Sequence, residues 1–163
     1  MDSLSKLGFI SAELICQKID LNRYNKNRVG IVLSNSSGSL DTDLVHQQSI
    51  HDRSQYFPSP SVFVYTLPNI MIGEICIRHQ LKGENALLIS ERFDSRQLFS
   101  YVHHLFLEKQ VDVCLTGWVE LLKEQFDAFL MAVEPAATDY SKEKSGGALP
   151  FSEETMNELY KIM

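Results

Sequence analysis

The chain has 163 residues, of which 44% are hydrophobic and 10% are aromatic, and it carries a formal net charge of −6. This length and composition suit one globular domain with its own core. The acidic balance argues against a nucleic-acid-binding protein, which needs a basic face to displace counterions from phosphate. No apolar run reaches the ~20 residues that span a bilayer, and the first residues lack the features of a signal peptide. We therefore expect no membrane segment and a cytoplasmic location.

Cysteine and histidine spacing gives no sign of a metal or of a reactive thiol. Cys16, Cys76 and Cys114 lie singly inside apolar stretches, which is typical of buried thiols in a reducing compartment. His103 and His104 are adjacent, so on a helix their side chains point about 100° apart and cannot chelate one ion together. His46 and His51 have the same difficulty. We expect no metal site and no cofactor.

The first third of the chain reads as helix, strand, loop and helix. Apolar residues at helical spacing predict a helix over Leu4 to Ile19 with Ser3 as its N-cap. The β-branched run from Val29 to Leu33 predicts a central strand. A loop of small residues, 34 to 39, separates this strand from a helix expected over Leu40 to Ile50. Backbone N–H groups in such a loop can face an anion. The signal is a weak one, because the loop has one glycine and no phosphate-binding motif. We therefore favour a plain turn whose Ser and Asn side chains cap the helix, with an anion-facing loop as the alternative.

The middle of the chain changes abruptly from apolar to charged. Val62 to Leu81 is apolar on nearly every face, which predicts a buried helix, with Pro68 in its first turn and Gly83 at its C-terminus. The apolar run from Ala86 to Ile89 predicts a strand covered on both faces. Ser90, Glu91 and Arg92 follow at the carboxyl end of that strand, where open α/β sheets bind their ligands. Asp94 is expected to cap a helix over residues 95 to 110.

The last part of the chain predicts two strands, a loop and a helix. Val111 to Thr116 is expected to be a buried strand that ends at Gly117, and Ala128 to Val133 an antiparallel last strand after a turn. Residues 135 to 150 are polar and rich in Gly, Ser and Lys, as in a mobile loop. Ser152 is the expected N-cap of a terminal helix. We divide the chain into a domain over 1–134, a loop over 135–150 and a helix over 151–163 that packs on the domain, through an apolar stripe formed by Met156, Leu159, Tyr160 and Met163.

Three sequence features together resemble a known family. They are Pro68-Asn69 at the head of a buried helix, Ile77-Arg78-His79 near its end, and Leu81-Lys82-Gly83-x-Asn85 before an apolar strand. This pattern resembles the β-ketoacyl synthases of the thiolase-like superfamily, and 112–120 is similar to the next strand of that family. The resemblance extends more weakly from Leu4 to Glu134, and it covers the N-terminal half of the family's fold. It implies a layered α/β half-motif, with a mixed sheet of about five strands and packed helices.

The resemblance also locates where a nucleophile would stand. In the family a catalytic cysteine follows the glycine by nine residues, and that count from Gly83 reaches Arg92, with Ser90, Glu91 and Asp94 adjacent. The family's catalytic histidines belong to the second half. The resemblance therefore implies no catalytic residue and no autonomous condensation. Arg92 is either part of a salt-bridged turn or, because a guanidinium suits carboxylates and phosphates, a ligand for an anion.

These implications lead to three hypotheses. The first is a non-catalytic, chain-length-factor-like subunit of fatty-acid or polyketide assembly, which forms a homodimer or a heterodimer with an active ketosynthase. An acyl carrier protein is a further partner considered under this hypothesis. The resemblance implies that its dimer strand is formed by Ala86, Leu87, Leu88 and Ile89. The second is a module that binds an acyl thioester or small ligand in a pocket formed by Ser36, Ser37, Gly38 and Asn69. The third is an enzyme of another type that uses Arg92, Glu91 or Ser90.

Overall fold

The computed structural model describes residues 1–51, 54, 57–135 and 149–162 of the chain. In this part, helices and strands follow one another in the order α1 (Ser3–Cys16), β1 (Val29–Asn35), α2 (Leu40–His51), α3 (Pro60–Val64), α4 (Ile70–His79), β2 (Asn85–Ile89), α5 (Ser95–Leu107), β3 (Val113–Leu122), β4 (Gln125–Val133) and α6 (Glu153–Ile162).

The strands form one mixed sheet in the order β2-β1-β3-β4. β1 is parallel to β2 on one side and to β3 on the other, and β3 is antiparallel to β4. The α/β class with a mixed sheet is confirmed, and the described residues form four strands where about five were expected. β1 is buried along its whole length, as its β-branched sequence predicts.

Helices cover both faces of the sheet, and each face has its own apolar core. Ile31 and Leu33 of β1 pack with Met71 and Ile75 on the face covered by α1 and α4. Val32 points to the other face, where it packs in a cluster with Leu98, Val102 and Leu105 of α5 and with Met156 of α6. The alternation along β1 follows from the two-residue period of a strand. Both layers are needed because neither face of a central parallel strand can be left in water.

The predicted helix over Val62 to Leu81 is two helices instead of one. Pro68 disfavours helical backbone at the residue before it, so α3 ends at Val64 and α4 begins only after Asn69. α4 is also not buried all round, since Ile77 is 77% exposed. The helix ends at Gln80, which takes the left-handed conformation (φ 56°), and not at Gly83. Gly83 instead allows close approach to β1, because a Cβ added there would lie 2.5 Å from the Val29 carbonyl oxygen.

Two strand predictions also need correction. β3 does not end at Gly117 but continues to Leu122, and the turn of the hairpin is formed by Lys123 and Glu124. Gly117 has φ 151°, and a Cβ added there would lie 1.9 Å from the Phe129 carbonyl oxygen, so the glycine permits close contact with β4. β2 is an edge strand of the sheet with half-buried or exposed residues, because helices cover it less completely than they cover β1.

The ends of the described chain are fixed by helix caps and by α6. Asp2, and not Ser3, caps α1, because its carboxylate accepts a hydrogen bond from the Ser5 N–H. Ser152 caps α6 as expected, accepting from the Thr155 N–H at 3.1 Å. Of the predicted loop 135–150, residues 136–148 lie outside the described residues, as does Met163 of the predicted terminal stripe. No helix in the described part of the chain is both long enough and apolar enough to cross a membrane.

Candidate functional site

Two loops leave the sheet side by side at the carboxyl ends of β1 and β2. The strands are parallel and pair Asn35 with Ile89, and the Ser90 N–H donates to the Asn35 carbonyl at 2.9 Å. The first loop, 36–39, leads into α2, and we call it the serine loop. The second, 90–94, leads into α5, and we call it the arginine loop. The sheet therefore brings together, at one edge, most of the site residues predicted from the sequence.

The serine loop is held by a carboxylate from β3. Glu120 Oε2 accepts hydrogen bonds from the Ser36 N–H at 2.6 Å and from the Ser37 N–H at 3.1 Å. Glu120 Oε1 also accepts a hydrogen bond from the Ser37 hydroxyl. The backbone N–H groups of the loop thus face an anion, and this anion is a side chain of the same chain. A carboxylate bound by several N–H and O–H donors is a strong, charge-assisted arrangement.

Sequence reasoning did not identify Glu120 as part of this site. The residue pattern predicted that β3 ends at Thr116, and the resemblance of 112–120 to a strand of the family gave Glu120 no role. In the structure β1 and β3 pair in parallel from Val29 opposite Val113 to Ser34 opposite Trp118. Continuing that register by two residues places Ser36 next to Glu120. The register between β1 and β3 was therefore the missing signal.

The rest of the serine loop is hydrogen-bonded within its own turn and to the turn that follows α3. The Asn35 side-chain amide donates to the Gly38 carbonyl at 3.0 Å, and the Ser39 hydroxyl donates to the Thr66 carbonyl at 2.6 Å. Asn69 precedes α4 and its side chain makes no capping hydrogen bond. The ring of its neighbour Pro68 lies next to Gly38, 3.5 Å from the position of an added Cβ. Three of the four predicted pocket residues therefore share one loop, and Asn69 stands beside it.

The arginine loop has exposed charged side chains on its outer side and a packed aromatic residue, Phe93, on its inner side. Arg92 lies in the turn between β2 and α5, and neither its side chain nor that of Glu91 makes a hydrogen bond or ion pair within the described part of the chain. Asp94 is used as the N-cap of α5, accepting from the Gln97 N–H at 3.0 Å. The salt-bridged turn considered from the sequence is therefore not found. Phe93 points inward, with its ring 4.2 Å from that of Tyr160.

The aromatic residues under the arginine loop connect it to α6 and to the β3–β4 hairpin. Phe93 makes edge-on contacts with Trp118 and Phe129 at ring distances of 6.5 and 5.6 Å. Tyr160 of α6 joins this cluster, and its hydroxyl donates to the carboxylate of Asp127 on β4. The exposed half of the loop is thus supported by a packed aromatic base.

The three cysteines have environments unsuited to nucleophilic chemistry. Burial raises the pKa of the Cys114 thiol to about 12 and that of Cys16 to about 11, and burial also raises the pKa of Cys76. A thiol reacts as its thiolate, and each of these shifts disfavours the thiolate. Cys114 pairs with Gly30 near the start of β1, at the end of the strand away from the two loops.

No group of three His, Cys, Asp or Glu side chains in the described residues is arranged to hold a metal ion. The two loops present hydrogen-bonding groups and charge: N–H donors of the serine loop bound to Glu120, and the exposed guanidinium of Arg92.

The fold of the chain is similar to that of several solved structures, although no protein-family model and no curated protein matches the sequence. The ishigamide ketosynthase/chain length factor superposes with a TM-score of 0.63 at 21% identity, covering 75% of this chain and 35% of that one. A type II PKS acyl-carrier protein in complex with its ketosynthase bound to the hexaketide gives 0.58 at 19% identity, covering 75% of this chain and 36% of that one.

A ketosynthase in complex with its chain length factor, from Xenorhabdus doucetiae, gives a TM-score of 0.56 at 19% identity, covering 74% of this chain and 47% of that one. The chain thus spans between about a third and a half of the length of these three chains. The layered α/β half-motif implied by the resemblance is confirmed: the chain shares its fold with ketosynthase and chain length factor chains.

Proposed function

We propose that the chain acts as a non-catalytic, chain-length-factor-like subunit in fatty-acid or polyketide assembly. The observation that carries this proposal is the position of Arg92 in the turn between β2 and α5, where the resemblance places a nucleophilic cysteine. A guanidinium cannot form an acyl thioester, and condensation in this family begins with that step. The fold shared with ketosynthase and chain length factor chains supports the same assignment.

The partner in this proposal is an active ketosynthase or a second copy of the chain, joined through Ala86, Leu87, Leu88 and Ile89. In the described chain β2 is paired on one side only, and Ile89 at its end is 55% exposed. An apolar strand with an open edge is an association site. We place the protein in the cytoplasm. An acyl carrier protein is a further partner in this proposal. Because the chain has a net charge of −6 and carrier proteins are also acidic, overall charge does not attract the two to each other.

The test is co-expression with an active ketosynthase from the same source, followed by co-purification and measurement of the dissociation constant. We expect a stable pair, and we expect Ile89→Asp to weaken it by about tenfold or more, because a carboxylate would be buried at the strand edge. Ile162→Asp is the matched control, since Ile162 is 80% exposed on α6. A strict monomer that binds none of the ketosynthases offered, or equal effects of the two substitutions, would contradict the proposal.

The alternative is a module that binds an acyl thioester or small ligand in the pocket formed by Ser36, Ser37, Gly38 and Asn69. A specific observation bears on it: the N–H groups of Ser36 and Ser37 are already bound to Glu120. A thioester carbonyl could use these donors only after displacing the carboxylate. Thermal-shift measurements with acyl-CoA and acyl carrier thioesters distinguish the two hypotheses, because a shift that grows in Glu120→Ala would favour the alternative.

A further inference from the structure

A polar cleft lies beside the arginine loop, where the start of α5 meets the start of α6. Its volume is about 300 Å³, the size of the smaller clefts that hold low-molecular-weight ligands. Phe93 is the one apolar residue in the described lining of the cleft. The other lining residues are charged or polar: Arg92, Asp94, Ser95, Arg96, Glu153 and Asn157. This lining suits a small polar ligand and does not suit an acyl chain.

Both carboxylates in the described lining of the cleft are already bound to donors of the same chain. Asp94 accepts from the Gln97 N–H at 3.0 Å, and Glu153 accepts from Arg96 Nε at 3.4 Å. Two carboxylates and two guanidinium groups give the lining a formal charge of zero, so net charge does not select the ligand. The selection depends instead on the hydrogen-bonding groups that remain without a partner.

Several donors of the cleft have no partner among the residues that the structure describes. One is the Arg92 guanidinium, and another is the side-chain amide of Asn157 on α6. The N–H groups of Ser95 and Arg96 lie in the first turn of α5, where a helix offers them no carbonyl, and residues 1–51, 54, 57–135 and 149–162 supply no other acceptor for them. Free N–H groups at the start of a 13-residue helix favour an anion.

A buried hydroxyl is a separate sign of a ligand in this cleft. Ser95 is only 5% exposed, and it lines the cleft. Its side chain makes no hydrogen bond within the described ranges of the chain. A buried polar group without a partner is unfavourable, and most such groups in folded proteins are hydrogen-bonded. An oxygen atom of a ligand in the cleft would give the Ser95 hydroxyl its acceptor.

We propose that this cleft binds a phosphate group between the Arg92 guanidinium and the first turn of α5. The guanidinium binds phosphate oxygens with its paired N–H groups. The N–H groups of Ser95 and Arg96, together with the Ser95 hydroxyl, bind the oxygens that face the helix. A phosphate carries more oxygens than a carboxylate does, so it is better suited to donors from both the loop and the helix. Such binding does not require the proposed ketosynthase partner.

The test is a backbone-amide NMR titration of the full chain with inorganic phosphate at neutral pH. We expect saturable binding with a dissociation constant of about 1 mM or less, and the largest shifts at the Ser95 and Arg96 amide signals. Sodium chloride at the same ionic strength is the control, because exposed charges respond to any salt. Shifts no larger than those caused by chloride, or no saturation, would overturn the proposal.

Two pairs of variants locate the site. Arg92→Ala should weaken phosphate binding about tenfold, whereas Arg23→Ala, which removes an exposed guanidinium outside the cleft, should leave it unchanged. Ser95→Ala should weaken binding about threefold or more. Ser100→Ala is its control, because Ser100 is an exposed residue of the same helix. Equal affinities within either pair of folded variants would contradict the assignment.

Circular dichroism shows whether each variant folds, and the comparison at Arg92 stands even if Ser95→Ala does not fold. Acetate tests the chemical class of the ligand: it should bind more weakly than phosphate, and equal affinity would contradict a phosphate site. Glycerol 3-phosphate distinguishes the source of the phosphate group. Tighter binding than that of inorganic phosphate would support a phosphate ester as the ligand, and weaker binding would support the free ion.

Discussion

The serine loop and the arginine loop follow the carboxyl ends of neighbouring strands. The polar groups of the serine loop are hydrogen-bonded within the protein, whereas the charged side chains of the arginine loop are not. In the serine loop the N–H groups of Ser36 and Ser37 and the Ser37 hydroxyl are bound to Glu120. In the arginine loop the side chains of Glu91 and Arg92 have no partner in the described chain. Backbone N–H donors in a loop after a strand therefore do not by themselves indicate an open binding site, because a side chain of the same protein can occupy them. A charged side chain without a partner is the clearer sign of a surface that is free to bind.

The largest expected effect comes from the glycine that lets β2, and with it the arginine loop, approach β1. Gly83→Ala places a Cβ 2.5 Å from the Val29 carbonyl oxygen, and backbone cannot move aside cheaply. We expect a loss of about 3 kcal/mol in the free energy of unfolding, measured by urea denaturation.

Gly73→Ala is the matched control, since no atom lies within 4 Å of the added Cβ. In the interior of α4 this change should cost nothing or stabilise the protein by up to about 1 kcal/mol. Equal losses in the two variants would show that Gly83 is not in close contact with β1.

The next largest effect is expected from the hydrogen bonds between Glu120 and the serine loop. Glu120→Ala removes the acceptor of three hydrogen bonds, and because the loop is partly exposed, water replaces some of them. We expect a loss of about 2 kcal/mol in the free energy of unfolding. Glu124→Ala, in the hairpin turn of the same two strands, should change stability by less than about 0.5 kcal/mol. A Glu120→Ala variant as stable as the control would mean that the loop holds its shape without the carboxylate.

A smaller effect on the free energy of unfolding is expected at alkaline pH from Tyr160, which packs against Phe93 under the arginine loop. Burial, followed by the hydrogen bond to Asp127, raises the pKa of Tyr160 from the ordinary 10.0 to about 12. The folded state therefore holds this proton more tightly than the unfolded state does. The stabilisation is complete below pH 10, and it is lost as the pH rises from about 10 to about 12.

Tyr160→Phe should consequently lower stability by about 1 kcal/mol at pH 7 and flatten the decline of stability above pH 10. Tyr101→Phe is the control, because Tyr101 makes no hydrogen bond in the described part of the chain. Thermal denaturation followed between pH 7 and about pH 11 measures both. An unchanged alkaline profile in Tyr160→Phe would show that the Asp127 contact does not hold the proton.

The smallest effect is expected at Arg92 itself. An exposed side chain without a partner contributes little to stability, so Arg92→Ala should change the free energy of unfolding by less than about 0.5 kcal/mol. Urea denaturation of the Arg92→Ala variant and of the wild type measures this difference. A loss as large as that of Glu120→Ala would show that the guanidinium has a structural partner, and the contrast between the two loops would fail.

The sequence predicted the class of fold and the placement of both loops, because these depend on local patterns. The run of apolar β-branched residues from Val29 marks the central strand, and Asp94 marks the start of α5. It did not predict the break before α4, since the effect of Pro68 on the preceding residue was outweighed by the apolar pattern around it. It also missed Glu120, because a contact between residues 83 or 84 positions apart depends on strand register, which no local window contains.

The central position of β1 has a consequence for synthesis on the ribosome. Its first neighbour, β2, and its second, β3, are both made much later, and Arg28 at its base pairs with Asp112, 84 residues further along. In a nascent chain β1 therefore has no partner strand until β2 has emerged, and one of its edges stays open until β3 follows, a state that is slow to fold and open to misassociation.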